Sequence, residues 1–309
     1  MRAVRSVEGR PTVLEVGDPT GDWPLLEVGS ASICGSDLTL LSWNLPTTLG
    51  HEFAGTVDGV AYCVEPTVRC GDCDQCRIGA TQRCRGSAPH GIIGVAFDGG
   101  LADRVAVPAD CLVPLPDGLA VADASLVEPL AVSWHALRRA AAAPGERVLV
   151  VGGGSVGLLT VAAARAMALD VDLDARHDHQ RAAGDRLGAG SPRGQYDITV
   201  EAAGTDTALA TCVRRTTPGG RIALVGVAQS DRQLPSIPFV MNELSLLGCN
   251  CYDNGGGGRE FARAAAVLAA DPEIAATVIT HRFPLAEAAE AFRVATDRGS
   301  GAIKVVLHP

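Results

Sequence analysis

Apolar positions fall in two textures along the chain. Over the first ~115 residues they form short runs between turn signals, for example at 52–57 and 101–107, with few helical periods, which predicts a β-rich region. From Asp123 onward Ala-rich helical stretches alternate with apolar strands at 148–151, 171–173, 198–201 and 221–225, the pattern of βαβ units on a parallel sheet. Beyond Leu247-Gly248 lies a glycine tract at 255–258, read as a mobile loop in a compact chain. A helix over 260–270 and a last strand over 302–307 follow, and no internal repeat is visible.

The length of 309 residues corresponds to about two domains of average size, and 47% hydrophobic against 20% charged residues is enough to bury a sizeable core. Lys+Arg number 26 against 35 Asp+Glu, a net charge of −9, and there is no basic run, so a nucleic-acid partner is excluded. Lys304 is the sole lysine, which reads as a coding bias toward arginine. The start, Met1-Arg-Ala-Val-Arg, has no apolar core of a secretory leader, so a reducing cytoplasm is expected. Residues 148–169 are apolar enough to resemble a membrane span. Four glycines and Arg165 interrupt them, and a soluble strand, loop and helix fits better.

That stretch carries the first chemical signal. A strand ending in Val-Val is followed by Gly152-Gly153-Gly154-Ser155-Val156-Gly157 and then a helical run, the context in which G-x-G-x-x-G binds a dinucleotide. Gly152 makes the turn, Gly154 lets the backbone approach the pyrophosphate, Gly157 lets helix and strand pack closely, and the helix N-terminus at Ser155 and Val156 offers free N–H groups. At the end of the next strand, where NAD enzymes carry a carboxylate for the ribose, the register places Ala175 followed by Arg176 and His177. A small residue followed by cations suits a 2′-phosphate, so NADP is favoured. Asp174, one residue away, leaves NAD as the alternative.

The ten cysteines are too few for a disulfide scaffold at this length. Cys70, Cys73, Cys76 and Cys84 have the spacing C-x2-C-x2-C-x7-C. Four thiolates in so short a segment can close a tetrahedral zinc site with no open position, hence a structural one. An iron–sulfur cluster is the competitor, disfavoured by the long last spacing and the missing proline. Cys34-Gly-Ser36-Asp37, Gly50-His51-Glu52 and Glu128 supply a second potential metal set: a thiolate, an imidazole and carboxylates, as a catalytic zinc with an exchangeable position requires. Cys63, Cys111, Cys212, Cys249 and Cys251 are expected to be buried structural residues.

Taken in order, these motifs resemble the zinc-dependent medium-chain alcohol and polyol dehydrogenases of the medium-chain dehydrogenase/reductase superfamily, over nearly the whole chain. The resemblance implies an α/β fold in which a Rossmann doubly wound parallel sheet (129–251) is inserted in a GroES-like β-rich catalytic domain (1–128 plus 252–309). It implies that Cys34 and His51 are catalytic zinc ligands, Glu128 the acidic ligand of polyol-type members, and Glu52 a carboxylate that binds the metal in some states. Ser36 would relay the alcohol proton and Asp37 would orient His51. The implied cofactors are two zinc ions per chain, one catalytic and one structural, with NADP or alternatively NAD. The implied activity is hydride transfer between NAD(P) and a secondary alcohol of polyol, sugar or amino-alcohol type, with a small molecule as partner and no membrane.

Three departures stand out. Thr39 occupies the position, five residues after Cys34, where relatives often carry a relay histidine. The segments 38–49 and 56–64 are short, trimming the substrate pocket. Residues 188–197 are too few for the strand and helix expected there. The trimming leaves two alternatives: a non-catalytic NADP-binding regulatory protein, or a zinc-free enone/quinone reductase of the same fold, which Cys34 and His51 disfavour. A homo-oligomer, dimer or tetramer, is expected from the apolar segment 243–251, which could pair at a sheet edge.

Overall fold

The computed structural model describes residues 1–86, 91–228, 230–255 and 258–309. Gly256 and Gly257 of the glycine tract lie outside the described residues. The chain begins with a hairpin of β1 (Arg2–Val7) and β2 (Arg10–Glu15), then β3 (Leu25–Ser32), helix α1 (Gly35–Trp43), β4 (Glu52–Val57), β5 (Val60–Val64), the short α2 (Asp74–Arg77), β6 (Arg104–Ala106) and β7 (Leu112–Pro114). Next come α3 (Val127–Arg139), β8 (Arg147–Val151), α4 (Ser155–Ala166), β9 (Asp170–Asp174), α5 (Asp178–Arg186), β10 (Tyr196–Glu201), α6 (Asp206–Arg215), β11 (Thr216–Leu224), α7 (Ser236–Met241) and β12 (Ser245–Gly248). The chain closes with α8 (Glu260–Ala270), α9 (Pro272–Val278), β13 (Ile279–Pro284), α10 (Ala288–Thr296) and β14 (Lys304–His308).

Two compact units result, Met1–Glu128 with Asp253–Pro309, and Pro129–Tyr252. At the second crossing the division falls one residue later than the sequence suggested.

In the first unit a seven-stranded sheet runs β13-β14-β3-β4-β5-β7, with β6 also pairing β3. The trimmed segment after Gly55 is a tight hairpin: Asp58 and Gly59, both with positive φ, join β4 to β5 across a two-residue turn. Leu26, Phe53, Leu101, Val305 and Leu307 fill one core with Phe292 of α10, whose buried Ala288, Ala291 and Phe292 recur at helical spacing. Of the 101–107 run only β6 is strand; its flanks pair singly, as at Ala102 with Ala3.

In the second unit five parallel strands run β12-β11-β10-β8-β9. Residues 148–151 of β8 are buried on both faces, as a central parallel strand must be. Helix α6 covers one face with Ala208, Leu209, Cys212 and Val213, and Thr205 caps it by accepting from the Ala208 N–H at 3.3 Å. The chain passes from β8 to β9 on one side and returns to β10 on the other, so the switch point where such sheets bind ligands lies beside β8. Outside β9, where a further strand and helix would fit, there is only a single bridge from Asp172 to Gly190 among the described residues. Polar groups cover that edge instead. The Tyr196 hydroxyl donates to Asp172 at 2.7 Å, and the Arg147 guanidinium lies 4.5 Å from the Tyr196 ring centre.

Candidate active site and dinucleotide turn

The first candidate site is built on the adjacent strands β14, β3 and β4. Cys34 stands just after β3, at the N-cap of α1, where its sulfur meets the positive end of the helix. Asp37, fully buried, accepts a hydrogen bond from the Cys34 N–H at 2.9 Å. Gly50 turns the chain into β4 at φ +98°, and a Cβ there would lie 2.7 Å from Leu101 Cγ, so glycine is required for His51 to point inward. His51 is also buried. Its Nδ1 lies 3.3 Å from Asp37 Oδ1 and its Nε2 3.2 Å from the exposed Ser36 hydroxyl.

One ligand atom each from Cys34, His51 and Glu52 come within 4.8 Å of one another. Burial opposes a charge on His51, but Asp37 and Cys34 outweigh it and hold the imidazole well above its ordinary pKa. An electron-rich pocket of this kind, with a sulfur, an imidazole nitrogen and carboxylates, fits a zinc ion. Glu128 is buried too, but its carboxylate is not part of the gathered trio.

Sequence reading overlooked the partners of Glu52. Both its oxygens are engaged by the Lys304 ammonium, at 2.9 and 2.7 Å, and the Ser32 hydroxyl donates to it as well. Lys304 is 2% exposed. Burial works against its charge, yet Glu52, with Cys34 and Glu128 beyond, holds the ammonium above its ordinary pKa. The only signal in the sequence was that this lysine is unique.

The four clustered cysteines bring their sulfurs together. Cys70 Sγ lies 3.9 Å from Cys76 Sγ and 3.5 Å from Cys84 Sγ. Sulfurs about 2.3 Å from a tetrahedral centre are about 3.8 Å apart, so the cluster has the dimensions of a zinc site. The N–H groups of Arg85 and Cys76 point at Cys73 Sγ and bring its thiol down to about 6. Of the other cysteines, Cys63, Cys111 and Cys212 are buried, with thiols pushed up to about 12 by burial, as expected of inert core residues. Cys249 and Cys251 are only half-buried, since β12 is an edge strand with little to cover the residues after it.

In the second unit, α4 starts at Ser155 directly after the glycine turn. A Cβ on Gly157 would sit 1.8 Å from the Gly152 carbonyl oxygen, so helix and turn close only with glycine there. A Cβ on Gly154 would meet nothing within 4 Å, leaving the turn open to a phosphate. Strand β9 ends at Asp174, paired with Val151, and the Gly152 N–H bonds the Asp174 carbonyl at 2.9 Å. Ala175 therefore follows the strand end. It is 6% exposed and lies against the turn, where a Cβ on Gly153 would come within 2.6 Å of its own. Arg176 is exposed beside it, and Arg181 pins the carbonyls of both residues at 2.8 Å. Glu201, buried at the end of β10, also escaped the sequence reading. It accepts from the N–H groups of Ala203 and Gly204 and pairs with Arg232 at 2.9 Å, fixing the loop next to the switch point.

A phosphate-ready turn on a parallel sheet, with a thiolate–imidazole–carboxylate pocket and a four-cysteine lobe in the other unit, defines a nucleotide-linked metal oxidoreductase. Residues 20–117 match the alcohol dehydrogenase GroES-like domain, and residues 121–308 match the family described as glucose dehydrogenase C-terminus. The chain is 30% identical to an L-galactonate-5-dehydrogenase of Escherichia coli (strain K12), covering 90% of this chain and 89% of that one. It is also 30% identical to an L-idonate 5-dehydrogenase of Vitis vinifera, covering 92% and 87%. A protein of Sinorhizobium meliloti 1021, described as a zinc-binding dehydrogenase and solved bound to NADP, superposes with a TM-score of 0.87 at 29% identity, covering 100% of this chain and 99% of that one.

The chain belongs to the zinc-dependent medium-chain alcohol and polyol dehydrogenase family. It is a zinc-type, NAD(P)-linked oxidoreductase with a Rossmann sheet and a GroES-like β-rich unit, and the non-catalytic and zinc-free alternatives are set aside. Among the described residues no helix is long and apolar enough to cross a membrane.

Proposed function

We propose that the protein exchanges hydride between NADP and a secondary alcohol of the polyol, sugar, sugar-acid or amino-alcohol class. The observation that carries this reading is the convergence of Cys34, His51 and Glu52 within 4.8 Å. The sugar-acid and polyol names of the relatives support the substrate class. Zinc held by Cys34, His51 and an acidic residue, Glu128 or in some states Glu52, would supply a Lewis acid that acidifies the substrate hydroxyl. Asp37 fixes the His51 ring through Nδ1, so that Nε2 faces the reacting end. Ser36, exposed and 3.2 Å from Nε2, takes the hydroxyl proton outward. With Thr39 in place of a histidine, that proton leaves through water or the cofactor ribose.

Gly152, Gly154, Ser155, Val156 and Gly157 cradle the pyrophosphate, and Ala175 with Arg176 favours the 2′-phosphate of NADP over NAD. The NADP bound by the Sinorhizobium protein supports that preference. Cys70, Cys73, Cys76 and Cys84 hold the structural zinc. A cytoplasmic homo-oligomer completes the reading, supported by edge strand β12 and the exposed Ile237, Val240 and Met241 beside it in sequence. Hydride transfer over a panel of polyols and sugar acids, with zinc counted before and after chelation, tests the reading. Two zinc ions per chain and activity lost with one of them are expected. Full activity without metal, or activity indifferent to Cys34→Ser, overturns it.

A further inference from the structure

Away from the candidate metal site, a buried carboxylate and a guanidinium meet at the ends of the parallel strands of the second unit. Glu201, the last residue of β10, is fully buried, and its Oε1 accepts from the N–H groups of Ala203 at 3.0 Å and Gly204 at 2.8 Å. Its Oε2 accepts from Arg232 Nη1 at 2.9 Å, and the Arg232 side chain is 12% exposed. The other two nitrogens of that guanidinium, Nε and Nη2, are buried with no hydrogen-bond partner among the described residues. Such a pair is a poor source of stability, because desolvation offsets the attraction and buried donors left unpaired add to the cost. Its explanation lies in what it holds in place.

The glycine turn packs directly on the segment that Glu201 fixes: a Cβ on Gly152 would lie 2.9 Å from the Ala203 nitrogen and 3.0 Å from the Ala203 Cβ. The segment after β11 packs there too. A Cβ on Gly226 would lie 2.4 Å from the Gly204 nitrogen and 2.6 Å from Glu201 Oε2, and the N–H groups of Val225 and Gly226 donate to the Glu201 carbonyl at 3.0 and 2.9 Å. Arg232 Nη1 also reaches the Gly226 carbonyl, at 3.4 Å. One carboxylate and one guanidinium therefore clamp residues 202–204 and 225–227 together. In a doubly wound sheet a dinucleotide lies across the strand ends at the switch point, with its adenosine ribose at the end of the strand after the glycine turn, here β9. The other half then lies on the opposite side of β8, over the ends of β10 and β11. We propose that Arg232 is a positioning residue: through Glu201 it sets residues 202–204 and 225–227 for the nicotinamide half of the cofactor and leaves the adenosine half untouched. The proposal rests on the dinucleotide reading of the turn given above.

The experiment is equilibrium binding to the full-length protein by titration calorimetry, with NADP and with 2′,5′-ADP, which carries the adenosine half and its 2′-phosphate but no nicotinamide. Arg232→Met removes the cation and keeps an unbranched side chain. NADP binding is then expected to weaken at least tenfold while 2′,5′-ADP binding stays within twofold of the parent. Since Nη1 alone makes the pair, a single donor suffices, and Arg232→Lys is expected to keep NADP binding within threefold. A role in stability alone lowers the melting temperature and moves neither affinity, and general damage to the unit weakens both ligands alike. Either result overturns the proposal, as does an Arg232→Lys variant that binds NADP as weakly as Arg232→Met. Should Arg232→Met not accumulate, Glu201→Gln decides, because it breaks the ion pair and keeps an acceptor for Ala203 and Gly204. NADP weakened at least threefold with 2′,5′-ADP within twofold then supports the positioning role, and any other result overturns it. If the parent binds neither ligand, the NADP reading itself fails, and the same comparison with NAD and 5′-AMP decides the positioning role. A parent that binds no dinucleotide at all overturns both.

Discussion

Changing Ala175 to aspartate is expected to reverse the cofactor preference. Ala175 directly follows the end of β9, is 6% exposed and lies against Gly153, while Arg181 bonds the carbonyls of residues 175 and 176. A carboxylate introduced here is therefore held on a fixed backbone beside the glycine turn. At about 6 Å from a 2′-phosphate and an effective dielectric of about 40, each unit of charge costs about 1.4 kcal/mol. With the phosphate carrying about −1.5 to −2 charges, the penalty on NADP is about 2–3 kcal/mol, or about 30- to 150-fold. NAD instead gains a carboxylate acceptor for its ribose hydroxyls, worth about 1 kcal/mol net. The ratio of kcat/KM for NADP over NAD should fall at least about a hundredfold, measured with the same alcohol and both cofactors. Ala175→Asn, similar in shape but neutral, should move the ratio far less. A shift below about fivefold in Ala175→Asp, or an equal shift in Ala175→Asn, would refute the placement of the 2′-phosphate beside Ala175 and Arg176.

Two further outcomes follow from the first unit. Cys84→Ser should lower the zinc content by one ion per chain and expose residues 70–86 to proteolysis. The lobe then loses stabilisation of up to about 10 kcal/mol that four thiolates supply through a metal, while NADP binding to the other unit persists. The Asp103 carboxylate is disfavoured by burial but more strongly favoured by Arg2, at 2.7 Å, which holds its carboxyl below the usual range. Its stabilising effect is full above the unfolded value near about 3.9 and is lost as the pH falls through the lower folded value. Asp103→Asn should therefore lower the melting temperature at pH 7 by the equivalent of at most about 1 kcal/mol for so exposed a pair, and the gap should close in acid. A gap that widens on acidification contradicts this assignment.

The local features were legible in the sequence because their chemistry is carried by neighbours along the chain. The glycine turn needs only a strand, three spaced glycines and a helix start, and the structure has β8, the turn and α4 in that order. The four cysteines span fifteen residues, so their spacing nearly dictates that the sulfurs meet. The missing strand beside β9 could be read from the shortness of 188–197, and the sheet has five strands with a lone bridge at that edge. Helix α1, which sets Cys34 and Asp37, was not read. Its nine residues are too few for a clear period, and two of them, Asp37 and Leu40, are buried.

Sequence by itself determined which groups were available: the cysteines, histidine and carboxylates of two candidate metal clusters, a glycine turn between strand and helix, and the small residue with a cation at the end of β9. Only the tertiary structure decided how the donors are used. Lys304 reaches Glu52 across 252 positions of chain, and Ser32 reaches it across 20. No spacing rule joins residues so far apart. They meet because β14, β3 and β4 are neighbours in one sheet whose register is set by apolar residues elsewhere in the core, such as Phe53, Val305 and Leu307. A lysine that looked like a remnant of composition thereby became the partner that holds a carboxylate at the candidate active site.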